Sequence, residues 1–349
     1  MNRKQFIHRA LGASALGALE TLGPVLGSLA ALLGADEPAP VPTRVGACDI
    51  EQIRTAESVF AGWDFAYGGG LVKEAVMGQL RYCARLLDAT CPERLRPELH
   101  AAVGALADTA GYMCFDTGAY DQARRVFRFA LACAEQAEDW QLRAYVLNSM
   151  ALLAIRTGQP DEGLALAEQG LVRPDRLTET GQWLLHIDRA RALAKMRRIQ
   201  DTLTAVGTAE DHFSRVSLAS EPPFLAHYNV AFLAGNTGQA LFDLAIVGHD
   251  PARAIDRLTT AVDGHTTGYT RPRAICMAKL ASLTMATGDP LQAALLGIDA
   301  LDTAAATRSR RVADDLRELA HHAAAHQHLD EVAHLRHRIA TLLTHTASA

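Results

Sequence analysis

Aromatic residues are scarce in this chain: Phe, Trp and Tyr make up 6% of its 349 residues. A core with so few of them must come mainly from Ala, Leu, Val and Ile, which suits close-packed helices. A charge of one sign is missing too. With 34 basic and 39 acidic side chains and a formal charge of -5, no whole-molecule field attracts nucleic acid or anionic lipid. Apolar residues are not lacking, and at 49% they exclude disorder by offering enough surface to offset chain entropy. Past the first forty residues no run reaches the roughly 20 uninterrupted apolar positions of a membrane helix. The six cysteines (Cys48, Cys83, Cys91, Cys114, Cys133, Cys276) contain no C-x-x-C pair and read as small hydrophobes in a reducing compartment.

Catalytic signatures are also missing. There is no G-x-G-x-x-G, Walker loop, G-x-S-x-G or H-E-x-x-H. Carboxylates are scattered among arginines, a pattern that reads as surface ion pairs, and Arg124-Arg125, Arg197-Arg198 and Arg308 to Arg311 read as solvated faces. Trp63, Trp140 and Trp183 sit on separate stretches and read as core packing rather than a cofactor cage. Histidine is the exception, with seven of 14 in the last 29 residues. His322 and His326 share a helix face at a spacing a metal could bridge, yet nothing nearby completes a ligand set, so a solvated terminal helix is expected. No catalytic residue, metal or cofactor is assigned.

The first forty residues differ from the rest. Arg3, Lys4 and Arg9 precede an apolar run from Ala10 to Ala35, broken by Glu20 and Pro24. Arg3-Lys4-Gln5-Phe6-Ile7 looks like a degenerate twin-arginine signal lacking its second arginine, and Glu20 is costly in an export core. Leu11, Leu16, Leu19, Leu22 and Leu26 instead fit one face of a docking helix, followed by a linker with Pro38, Pro40 and Pro42. The segment is expected to be a signal, an anchor or a docked helix, and it offers an apolar face for homodimer formation.

What is present is a repeat. Gly118-Ala119-Tyr120-Asp121-Gln122-Ala123, Gly158-Gln159-Pro160-Asp161-Glu162-Gly163, His249-Asp250-Pro251-Ala252-Arg253-Ala254 and Gly288-Asp289-Pro290-Leu291-Gln292-Ala293 align, with weaker copies around Thr202 and Val332. The equivalent position falls at 123, 163, 202, 254, 293 and 332, at intervals of 40, 39, 52, 39 and 39. Such a period means stacked supersecondary units and resembles the tetratricopeptide (TPR) hairpin, whose repeat is about 34 residues. Gly111, Ala151, Ala190 and Ala281 would let neighbouring helices approach closely. Gly118, Gly158 and Gly288 could end the first helix with positive φ, and Pro160, Pro251 and Pro290 fit the first turn of the second. The 52-residue interval contains Ser220-Glu221-Pro222-Pro223 and implies an insertion or hinge. Asp49 to Tyr67 and Leu71 to Asp88 read as helices broken at Gly68-Gly69-Gly70. The expected organisation is residues 1–45 as apolar helix and linker, and 46–345 as an all-α, right-handed TPR-like superhelix of six to seven hairpins.

Trp63-Asp64-Phe65-Ala66-Tyr67-Gly68-Gly69-Gly70 and the turn Phe115-Asp116-Thr117-Gly118 resemble the large bacterial regulators that join a helix-turn-helix DNA-binding domain to a TPR-like sensor half. The resemblance covers nearly all of the chain. This sequence starts where the sensor half would start, so it implies a sensing or scaffolding half, without direct DNA binding.

In TPR solenoids the first helix of each hairpin lines the concave face. That register gives a groove of Asp108, Tyr112 and Asp116, then Tyr145, Asn148 and Arg156, then Arg191 and Lys195, then Asn236, Gln239 and Asp243. The chain has only four asparagines, and Asn148 and Asn236 fall on groove positions. Mid-helix Asn needs a reason: it caps or bridges helices, or it pairs with a peptide backbone, as the resemblance to peptide-sensing TPR receptors of Gram-positive bacteria implies. The expected function is a non-enzymatic, cytoplasmic regulatory module binding a peptide, small metabolite or protein partner. An exported or membrane-attached scaffold and an enzyme with a His-containing site are the alternatives.

Overall fold

A computed structural model describes residues 40–217 and 221–347. The signal, anchor and docked-helix readings of residues 1–35, and self-association through Ala10 to Ala35, lie outside the described residues. The rest belongs to one compact unit, Pro42–Ala349.

That unit is an all-α, TPR-like solenoid of seven helical hairpins. They are α1 (Ala47–Tyr67) with α2 (Lys73–Leu86), α3 (Arg96–Asp116) with α4 (Tyr120–Gln136), α5 (Trp140–Arg156) with α6 (Pro160–Gly170), and α7 (Glu179–Lys195) with α8 (Ile199–Ser214). Then follow α9 (Val230–Ala245) with α10 (Ala252–Gly264), α11 (Thr270–Thr287) with α12 (Pro290–Ala304), and α13 (Arg310–His322) with α14 (Asp330–Ala347). Among the described residues the only β pairing is an isolated bridge between Arg44 and Thr90.

The repeat marks the close approaches. Ala123, Thr202, Ala254, Ala293 and Val332 are wholly buried, as are Ala151, Ala190 and Ala281 on the partner helices. A Cβ on Gly111 would stand 2.6 Å from the Phe127 ring, and one on Gly163 would stand 2.5 Å from Ile155. Larger side chains there would drive the two helices of a hairpin apart.

Gly118 and Gly158 end α3 and α5 at φ 80° and 82°. Gly288 ends α11 differently, at φ -130° and so outside the left-handed region, and the Asp289 carboxylate caps the next helix at Leu291 N. Pro160 and Pro290 open their helices, while Pro251 sits one residue before α10.

The first hairpin does more than extend the stack. Helix α1 packs on α3 and also reaches α11 and the 3-10 turn Thr267–Tyr269. At its end, Arg308 N donates to Tyr67 O at 2.8 Å and Gly70 N donates to Arg308 O at 3.1 Å, tying the α1–α2 turn to the chain entering α13. A Cβ on Gly69 would lie 2.6 Å from Met113 O, so the triple-glycine turn is a close approach as well as a break. The concave face is therefore roofed by α1 instead of lying open.

Candidate functional site

The roof encloses a cavity of about 300 Å³. The first helix of each of the seven hairpins contributes to its wall, and so does the 221–229 segment inside the long interval. Thr178 Oγ1 donates to Glu221 Oε2 at 2.7 Å, and Asn229 caps α9, fixing both ends of that segment. Pro223, Phe224, His227 and Tyr228 can then face the cavity. On the opposite side Ser58 and Gly62 of α1 are exposed and mark the mouth.

Six of the eleven groove positions line this cavity: Asp108, Tyr112, Tyr145, Asn148, Asn236 and Gln239. The other five are tied up beside it. Arg156 Nη1 donates to Asp315 Oδ1 at 3.1 Å, and Lys195 Nζ to Asp243 Oδ1 at 2.7 Å. Arg191 gives Nη1 to Asn236 Oδ1 at 3.3 Å and Nη2 to Gln239 Oε1 at 3.0 Å. Asp116, below the floor, binds Arg271, Ser309 Oγ and Gly69 N. Five of the groove's polar residues thus bond to one another, and the others bond to neighbours outside the set.

Five aspartates are buried: Asp108 and Asp116, read from sequence as groove positions, and Asp64, Asp188 and Asp315, which the scattered-carboxylate reading left on the surface. Arg311, read as part of a solvated face, is buried as well, stacked on Tyr112 and Phe115 with Nη1 donating to Tyr112 OH at 2.8 Å. Of the tryptophans only Trp183 is in the core. Trp63 is 45% exposed, and Trp140 is flanked by the guanidiniums of Arg143 and Arg173.

The buried acids fall into two kinds. Asp64 and Asp116 share Arg271, and Asp315 takes Arg156 and Lys279. Asp108 and Asp188 have only neutral hydrogen-bond partners: Ser149 Oγ donates to Asp108 Oδ2 at 3.1 Å, and Asn148 Nδ2 to Asp188 Oδ2 at 2.5 Å, with the Arg191 charge acting on Asp188 from beside it. Burial pushes both carboxyls up to about 8, against a smaller downward pull from these donors. Glu57, held by Thr109 Oγ1 at 2.9 Å, is raised by burial as well. Burial holds His227 and His265 down at about 4, so both are neutral at pH 7.

Asp108 Oδ1, Asp188 Oδ1, His227 Nε2, His265 Nδ1 and Arg311 Nε are buried without a hydrogen-bond partner, all on cavity-lining residues. The wall between them is aromatic. Phe65, Phe232, Tyr269 and His265 pack edge-to-face or tilted, and Tyr145 meets Phe224 and Tyr228. Sequence reasoning found Asp108 but missed Glu57, Asp188 and the aromatic wall. A usable signal was an Asp inside an otherwise apolar helix stretch, as at Leu184-Leu185-His186-Ile187-Asp188.

Among the described residues no three His, Cys, Asp or Glu side chains converge to hold a metal ion. All six cysteines are free and five are buried. No described helix is long and apolar enough to cross a membrane.

The fold and its cavity define the class: an all-α TPR-like solenoid with an enclosed inner face. Neither a scan against protein-family models nor a search of curated proteins returns a match. Among solved structures, the chain is similar to a Rap protein crystallised in complex with competence and sporulation factor. The match has a TM-score of 0.49 and 13% identity, over 86% of this chain and 99% of that one.

Proposed function

We propose that this protein is a non-enzymatic regulatory module that binds a short peptide or a small metabolite in the cavity beneath α1. The observation behind this reading is the cavity itself, ligand-sized, walled by all seven hairpins and holding buried polar atoms without partners. Protein interiors satisfy such atoms, so a cluster of them around one space fits a ligand that completes them. A whole partner helix is a poorer fit, because α1 already occupies the line across the concave face. Binding would tighten α1 against hairpins from both ends of the array, and a protein partner reading the position of α1 would receive the signal. Free buried thiols fit a cytoplasmic setting.

Native mass spectrometry of the untagged chain from its own cells tests this. A bound mass of small-ligand size is expected, and Gly62→Trp, which plugs the mouth at an exposed position with open space, should remove it. A bound mass retained by that variant would place the ligand elsewhere.

A further inference from the structure

Every deeply buried aspartate away from the cavity wall is neutralised by a cation. Asp116 faces Arg271, and Asp315 faces Arg156 and Lys279. Asp64 borders the cavity and is also neutralised, by Arg271. The exceptions are Asp108 and Asp188, both on the cavity wall, and beside them the half-buried Glu57 takes its hydrogen bond from the neutral Thr109 Oγ1. These three carboxyls come from α1, α3 and α7; Ser149 and Asn148 of α5 hold the two aspartates, and Thr109 of α3 holds Glu57. Oδ1 of each aspartate is buried and unpartnered.

From this contrast we infer that the cavity accepts an organic cation, an ammonium or guanidinium group, with Glu57, Asp108 and Asp188 as its counter-ions. This rests on the cavity being the ligand site and names the chemical class of its ligand.

The surroundings fit that chemistry. Facing Asp108 are Glu57 of α1, Tyr145 of α5 and Tyr228 of the 221–229 segment. Facing Asp188 are Asn148, Tyr228 and Arg191. Arg191 is the one cation in this set, and it spends its two Nη groups on Asn236 and Gln239. Aromatic faces of Phe65, Tyr145 and Phe232 supply a wall on which a cation's body can rest.

In the empty site the aspartates keep their protons because two anions there would lack compensation. An entering R–NH3+ replaces a carboxyl proton as the partner of the oxygen. R–NH3+ and Asp–COOH become R–NH3+ paired with Asp–COO-, and one H+ leaves to solvent. A neutral ligand gains no such ion pair with the two aspartates.

The test is calorimetric titration of the full chain with matched probes. One arm uses 2-phenylethylamine, 2-phenylethanol and phenylacetate. The other uses capped Ala-Lys-Ala against capped Ala-norleucine-Ala. The cationic member of one arm is expected to bind about tenfold or more tightly than its neutral isostere, and the winning arm tells a small amine from a peptide side chain. Binding in two buffers of different ionisation enthalpy should show proton release. Asp108→Asn with Asp188→Asn should abolish both the preference and the proton release. Neutral probes binding as tightly as cations, or phenylacetate binding best, would overturn the inference and leave the cavity reading standing. Binding by no probe, or binding that Gly62→Trp leaves intact, would overturn both.

Discussion

Arg271 Nη2 lies 2.5 Å from Asp64 Oδ2, joining residues 207 positions apart. The same guanidinium gives Nη1 to Asp116 Oδ1 at 3.2 Å and Nε to the Asp64 carbonyl at 3.2 Å. Asp64 lies in Trp63-Asp64-Phe65 and Asp116 in Phe115-Asp116-Thr117-Gly118, the two stretches that resemble the bacterial sensor halves. One arginine therefore pins the roof helix α1 to α3 and α11 together.

Removing that pin should be expensive. Arg271→Met would leave two carboxyls buried with much of their charge uncompensated, at an expected cost of about 3–5 kcal/mol. Arg271→Lys should recover little, because a single ammonium does not reproduce three directed donors. Urea unfolding measures both. A loss well under 1 kcal/mol for the Met variant would mean that the cluster does not hold the roof.

Stability should also depend on pH in a direction set by the cavity acids. Asp108 and Asp188 move from near 3.8 to about 8 on folding, so between those values the folded chain holds more protons than the unfolded one. Their contribution is full below pH 3.8 and is lost as pH rises through 8. His227 and His265, ordinarily near 6.5 and here about 4, act oppositely, adding stability as pH rises from 4 to 6.5. The two trends offset each other in that range. Above pH 6.5 only the aspartate trend remains, so the urea midpoint should fall from pH 6.5 to 8. Asp108→Asn with Asp188→Asn should flatten that fall and exceed the parent in stability at pH 8.

Glycines of the first helices divide by what surrounds them. Gly62, exposed within α1, has nothing within 4 Å of a built Cβ, so Gly62→Ala should stabilise by about 0.5–1 kcal/mol through helix entropy. At Gly111 the Cβ would strike the Phe127 ring at 2.6 Å, and Gly111→Ala should cost about 1–3 kcal/mol. Thermal melts of the pair check the contrast. Equal effects would mean that α3 and α4 can separate without penalty.

The seven hairpins were legible because small residues recur wherever two helices of a hairpin touch, a local constraint with a fixed period. Six of the eleven groove positions reach the cavity wall for the same reason. What the period leaves out is set by residues far apart in sequence. Arg156 meets Asp315 across 159 positions, and nothing near either one announces it. The roof formed by α1 depends on Arg271, in a hairpin that the repeat makes look equivalent to the others, and on Arg308, in the link between two such hairpins. The burial of Asp188 was hidden because an aspartate three residues before an arginine reads locally as a surface ion pair.

Asn148 and Asn236, the two rare mid-helix amides, separate under the same logic. Asn236 is used on both sides: its Oδ1 accepts from Arg191 and its Nδ2 donates to Phe232 O at 2.9 Å. Asn148 gives Nδ2 to Asp188, the hydrogen bond that lowers that carboxyl against its burial. Asn148→Ala removes this donor, drives Asp188 further toward its protonated form and weakens it as a counter-ion. Binding of a cationic ligand should drop about tenfold, with neutral probes little affected. Asn236→Ala instead releases one arm of Arg191 inside the wall, costing about 1 kcal/mol of stability with a smaller effect on the cation preference. Calorimetry of both variants with the probe pairs decides the matter. If Asn236→Ala were the variant that erased the preference, the cation would sit beside Arg191 and not beside Asp188, contrary to the charge pattern of the wall.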